Sequence, residues 1–127
     1  NNNHRSRRAG NDDPGRASTV IVLKEPQNNS GDIHKLWEFS CDIDTMAKPL
    51  SVGGGSVEEL PGGDYLVCMG ASHRNFIVSK DKRILWNALV EIKTPEGTWM
   101  PSPGYRISPV LPEYIERMVF GHAPTDR

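Results

Sequence analysis

The sequence predicts an all-β fold of antiparallel four-stranded β-propeller blades, a partial propeller of about two blades with a short C-terminal helix. Three observations predict it. Short runs of β-branched and aromatic residues alternate with turn residues through the middle of the chain. Four of these runs fall between residues 56 and 92, each joined to the next by a tight turn. A polar turn leading into an apolar residue and Trp occurs twice, as GDIHKLWEF (31–39) and KDKRILWNA (80–88), with Trp37 and Trp86 49 residues apart. A period of about 40–50 residues with four strands per unit is the mark of propeller blades.

Taken in order, the chain divides within one domain into an entry loop (1–18), a partial blade (19–49), a blade (50–93) and a C-terminal extension (94–127). The entry loop is polar, and its Arg5, Arg7 and Arg8 read as solvated rather than anion-holding. TVIVLKE (19–25) is a buried strand, and PQNNSGD (26–32) is all turn residues. HKLWEFSCDI (34–43) alternates in part, which puts Trp37, Phe39 and Cys41 on one face. SVEEL (56–60) and YLVCM (65–69) flank Pro61-Gly62-Gly63-Asp64, a turn in which proline presets φ and glycine takes φ > 0. NFIVS (75–79) and ILWNALVEI (84–92) complete an up-and-down sheet. Between residues 94 and 112, five prolines exclude a central strand. Trp99 and Tyr105 are expected to anchor this stretch against the sheet. EYIERMVF (113–120) reads as a helix that Pro112 begins.

Composition narrows the function classes. Fifteen Lys and Arg balance 16 Asp and Glu, which leaves no field to draw nucleic acid or an anionic membrane. No run approaches the roughly 20 apolar residues of a spanning helix. The first residues are neither an initiator Met nor a secretion signal, so a cut from a longer protein is expected. Cys41 and Cys68 match no zinc pattern and read as small buried hydrophobes, with a single cross-strand disulfide as the alternative.

The chemistry-bearing residues are few. No two of His4, His34, His73 and His122 stand at a metal-ligand spacing, so no metal is expected. His73 and Arg74 share a turn between two strands, where a propeller loop meets an anionic substrate; Asn3 and His4 share the entry loop. These four are the candidate substrate-binding residues, set against an ordinary polar-turn reading. Glu58 and Glu59 are strand neighbours on opposite faces and cannot share a proton; Asp12-Asp13 fits no standard calcium loop. Gly53–Gly55 precede a strand, the wrong order for a phosphate cradle, and suit close backbone approach instead. Asn28-Asn29-Ser30 is a sequon in a turn.

GGGSVEELPGGDYLVCMG followed by RNFIVSKDKRILWNALVE resembles the late blades of the arylsulfotransferase family of six-bladed propellers. There a small-residue start leads into Leu-Pro-x-Gly-x-x-Leu and a strand closing on Ile-hydrophobic-Trp. NNNHRSRRAGNDDPGRASTVIVLKE resembles the family's Asn-rich loop and following strand, and GYRISPVLP its Tyr-Arg segment near the C-terminus. The resemblance spans most of residues 1–112. It implies sulfuryl transfer from an aryl sulfate to a phenol, through a histidine nucleophile flanked by His, Asn and Arg donors. In the family those residues precede the Asn-rich loop, so no catalytic residue is carried onto this chain, and no cofactor is implied. The family's Ser-Arg strand start is altered here, because Thr19 follows Ser18. The implied partners are an aryl sulfate or phenolic small molecule and the remaining blades, with neither nucleic acid nor a membrane span. The alternative is a non-enzymatic propeller that binds a protein or carbohydrate through its loops. Blade faces left without neighbours lead to the further expectation of marginal stability or self-association.

Overall fold

The structure, a computed structural model, describes residues 17–26, 31–43, 51 and 53–121. Its strands are β1 (Thr19–Lys24), β2 (His34–Ser40), β3 (Ser56–Glu59), β4 (Tyr65–Met69), β5 (Arg74–Val78), β6 (Ile84–Leu89), β7 (Glu91–Lys93) and β8 (Trp99–Pro101). One helix, α1 (Pro112–Phe120), follows. The strands form three antiparallel sheets: β1–β2, β3–β4–β5–β6 in sequence order, and β7–β8. Among the described residues these are separate sheets, an all-β arrangement with one short helix.

The four-stranded sheet is the up-and-down unit expected over 56–92. In its first turn, Gly62 at φ 99° and Gly63 at φ 85° both adopt the left-handed region, which a residue with a Cβ resists. Strand β4 is buried along its whole length, which requires cover on both faces. On one face Tyr65, Val67 and Met69 join Phe76 and Val78 of β5. The β1–β2 sheet packs on that face with Val20, Val22, Trp37 and Phe39, and Cys41 and Ile43 just beyond β2 complete the core. Each large apolar side chain so enclosed stabilises the fold by about 1.5–3 kcal/mol. Trp37 lies 4.7 Å from Tyr65 and Phe39 lies 5.9 Å from Phe76, ring centre to ring centre. The indole Nε1 of Trp37 also donates to the Lys80 carbonyl at 2.8 Å, tying β2 to the β5–β6 turn.

The other face of β4 is covered by the chain after β8. Gly104 lies against the Cys68 thiol, Gly55 N–H donates to the Tyr105 carbonyl, and Ile107 N–H donates to Ser56 Oγ. Three backbones meet here. A Cβ on Gly70 would stand 2.3 Å from the Gly104 carbonyl oxygen and 2.8 Å from that of Gly53, so only glycine fits. Within the glycine run 53–55, close backbone approach holds at Gly54, whose added Cβ would stand 3.1 Å from the Gly104 carbonyl oxygen, and not at Gly53, around which there is open space.

A shared irregularity links the two main sheets. In β1–β2 the register runs Val22↔Trp37 and then Leu23↔Lys35, so Leu36 is skipped. In β5–β6 it runs Ile77↔Trp86 and then Val78↔Ile84, so Leu85 is skipped. Each extra residue is the leucine immediately before the repeated tryptophan, a β-bulge at the same place in both hairpins.

Three expectations are corrected. TVIVLKE forms a strand but not a buried one: only Val20 of β1 is buried, and Ile21 and Leu23 are exposed, because one face of β1–β2 packs on the four-stranded sheet and the other does not. The run 84–92 is not one strand, because it breaks at Val90, whose N–H donates to the His73 carbonyl and whose own carbonyl accepts from Ser102 N–H. Trp99 and Tyr105 do not anchor the C-terminal stretch: they are 61% and 82% exposed. Anchoring falls instead to backbone hydrogen bonds and to the glycines, which approach more closely than any aromatic ring. Proline content limits but does not forbid strand here, since Pro101 ends the short edge strand β8. Helix α1 begins at Pro112 and closes on Gly121, a left-handed cap whose N–H returns to the Arg117 carbonyl. Ile115, Met118 and Val119 are all exposed on it.

Candidate functional site

The residues singled out from the sequence part company in the structure. Asn3 and His4 lie outside the described residues, as do Asp12-Asp13 and the sequon. His73 and Arg74 lie where β4 turns into β5, after a single 3-10 turn over Gly70–Ser72. His73 ends that turn in the left-handed region at φ 56°, uncommon for a residue with a Cβ. Its N–H donates to the Gly70 carbonyl at 3.1 Å, and its own carbonyl accepts from Val90 N–H at 2.8 Å. The backbone of His73 therefore fixes both the entry to β5 and the exit from β6. Arg74 turns to the neighbouring strand, where its Nη1 donates to Asn87 Oδ1 at 3.4 Å. Adjacent in sequence, the two side chains serve different surroundings.

Sequence reasoning missed Asn75. Its Oδ1 and the Nδ1 of His73 are both enclosed without a hydrogen-bond partner among the described residues. A polar atom buried this way costs about 1–3 kcal/mol and calls for an explanation. The available signal was an Asn inside the apolar run NFIVS, where a strand core wants a hydrophobe. Trp37 Nε1 was missed as well, since nothing in the sequence names the carbonyl it reaches.

Among the described residues a hollow lies between β1 and the start of β3, lined by Ser18, Ser51, Gly55, Ser56 and Val57 with β4 at its floor. Ser51 organises its rim: its N–H donates to Ser18 Oγ, and its own Oγ accepts from Ala71 N–H. The cavity holds about 90 Å³, room for a few waters, against the 300–1,000 Å³ or so of a typical small-molecule site.

Both cysteines are free thiols buried in apolar surroundings, in line with the hydrophobe reading rather than the disulfide. Cys41 belongs to the core between the sheets, whereas Cys68 points to the opposite face of β4 against Gly104. Burial pushes the Cys41 thiol up to about 12, outweighing a backbone hydrogen bond from Val20, and it raises Cys68 as well. Neither is a ready nucleophile at neutral pH. The Tyr65 hydroxyl is raised too, by burial first and then by the Glu59 charge paired across from it. Glu58 and Glu59 pair with Leu66 and Tyr65, and so occupy opposite faces as expected.

Among the described residues no group of His, Cys, Asp and Glu is placed to hold a metal ion. No helix among them is long and apolar enough to cross a membrane. No protein-family model matches the chain, and neither a curated protein nor a solved structure matches it.

Proposed function

We propose that the chain is a scaffold module: two consecutive units of a β-propeller-type repeat, which packs sheet against sheet and presents its loops and outer faces to partners. One observation carries this. The two Leu-Trp segments share the same bulge in the same register, and the first tryptophan packs on the following unit and hydrogen-bonds its β5–β6 turn. A tryptophan that joins one unit to the next is what a stacked repeat needs, because each unit buries its faces only against neighbours. The roughly 49-residue spacing and the face-to-face packing of β1–β2 on β4–β5 agree with blades.

Within this reading the chain is either part of an arylsulfotransferase-like protein, contributing scaffold to sulfuryl transfer, or part of a non-enzymatic binding module. The exposed apolar side of α1 and the exposed Ile92, Trp99 and Met100 of the β7–β8 hairpin favour binding to a protein. Because the nucleophile that the resemblance implies lies upstream of this chain, the two are separated by offering a chromogenic aryl sulfate and a phenol acceptor to the chain joined to the upstream blades that the reading implies. Sulfuryl transfer that falls when Arg74 is changed to Ala supports the transferase reading, whereas no turnover by that folded protein leaves the binding module.

A further inference from the structure

The two faces of β4 are covered in different ways. On the core face the cover is a sheet whose own side chains, Val20 and Cys41 among them, are buried with it. On the other face it is the stretch after β8, and from Pro101 to Val119 that stretch has no buried residue of its own. What lies beneath it is nonetheless enclosed. Leu66 and Cys68 point away from the Tyr65–Val67–Met69 core and are only 5% and 4% exposed. Among the described residues the hold on 102–107 is three hydrogen bonds and the contact of Gly104 with Gly70 and Cys68. Ser102 N–H donates to the Val90 carbonyl, Gly55 N–H to the Tyr105 carbonyl, and Ile107 N–H to Ser56 Oγ. Helix α1, exposed from Pro112 to Val119, adds no buried side chain.

The covered face also holds a polar atom at a loss. Asn75 pairs with Cys68 across β4–β5 and shares its face, and its Oδ1 is enclosed without a partner among the described residues. Water reaching that atom lowers the cost of an open form. A segment with little buried apolar surface and a few hydrogen bonds opens at a fraction of the global unfolding free energy. We infer that residues 102–107 are a latch over the Cys68 face of β4, opening and reclosing as one unit while the two main sheets stay folded. The open form admits water and solutes to Cys68 and Asn75. Cys41, enclosed on the core side, is reached only when the sheets part. Closed, the latch leaves no room for a group on sulfur, since even a Cβ on Gly104 would stand 3.3 Å from Cys68 Sγ. A Cys68 adduct therefore holds it open. Such a latch works alike in a transferase scaffold and in a binding module.

The two thiols test it on the 127-residue chain, with 5,5′-dithiobis(2-nitrobenzoate) as probe at about pH 8. The thiol gives its proton to the buffer, its sulfur attacks the disulfide, a mixed disulfide forms and one coloured thiolate leaves. Release is expected in two phases, the faster assigned to Cys68 by peptide mapping and at least about tenfold ahead of Cys41. The Cys68 phase should stay flat across low urea, where the Cys41 phase climbs. Ser56→Ala removes the acceptor of Ile107 N–H and should speed the Cys68 phase roughly 2- to 10-fold. Gly104→Ala, which presses a carbon on Cys68 Sγ, repeats that arm should Ser56→Ala fail to give the parent circular dichroism spectrum. Phe76→Leu loosens the packing between the sheets and should speed the Cys41 phase alone. Cys68 reacting no faster than Cys41, or climbing with urea in step with it, overturns the inference, because the cover then opens only with the whole fold. So does a Phe76→Leu that speeds both phases alike. A fast Cys68 phase that the latch substitutions leave unchanged overturns it as well, since Cys68 is then reached by another route.

Discussion

Hairpins β1–β2 and β5–β6 are built to one plan, with the same Leu-Trp bulge and the same two-residue alternation, yet they live in opposite conditions. Phe76 and Val78 are wholly enclosed, and their counterparts Ile21 and Leu23 are open. Trp37 is packed and hydrogen-bonded, whereas its counterpart Trp86 is nearly half exposed. Residue type does not account for the difference. What separates the hairpins is whether, among the described residues, a sheet lies against the face in question; on the repeat reading proposed above, a unit buries its faces only against neighbouring units.

The difference is broken most forcefully at the core. Phe76→Ala should lower the unfolding free energy by about 3–5 kcal/mol in a denaturant titration, since it leaves a cavity among enclosed rings. Ile21→Ala, measured at a concentration where the chain is monomeric, should cost under about 1 kcal/mol. Equal costs would mean that the outer face of β1–β2 is covered in solution after all. Next in size is the glycine crossing. Gly70→Ala forces a Cβ into two carbonyl oxygens and should cost about 1–3 kcal/mol. Gly53→Ala, with nothing within 4 Å of its added carbon, should fall within about 0.5 kcal/mol of the parent. A pair of similar values would show that the segment around Gly104 does not lie against β4.

The tryptophans sharpen the same contrast more gently. Trp37→Phe loses the hydrogen bond to Lys80 and should cost about 1 kcal/mol or somewhat more, while Trp86→Phe in the monomer should change stability by only a few tenths. Smallest at neutral pH is the effect of the buried thiols, which appears only in alkali. Cys41 keeps its proton up to about 12 in the folded chain but loses it from about 9 once unfolded. The unfolded state therefore binds fewer protons across that window, and stability falls as pH rises through it. Chemical denaturation at neutral pH and at about pH 10.5 should show this loss, and Cys41→Ala should make it shallower. A stability unchanged between the two pH values in the parent would mean that the Cys41 thiol is open to water.

Much of the architecture was legible from residues alone. Strands β3 to β5, their turns and the helix fall within a residue or so of where alternation, Pro61-Gly62-Gly63 and Pro112 put them. The Trp37–Phe39–Cys41 face is legible because period-2 alternation leaves little freedom once one face is apolar. The break at Val90 was not legible, since nothing in ILWNALVEI marks it; it arises because the His73 carbonyl, reached only through the fold, competes for the Val90 N–H. The candidate site was less legible still. His73 and Arg74 look like a pair in one dimension, but a left-handed residue at the strand entry sends them to different neighbours.

The sequence by itself determined that this chain makes short antiparallel strands joined by tight turns, with a repeated tryptophan. Those features follow from side-chain branching, proline and glycine acting over a few residues. Only the tertiary structure decided which faces are buried, which tryptophan finds a carbonyl, and that Gly54, Gly70 and Gly104 cross. These outcomes depend on segments distant in sequence occupying the same space, and local preference carries no information about that.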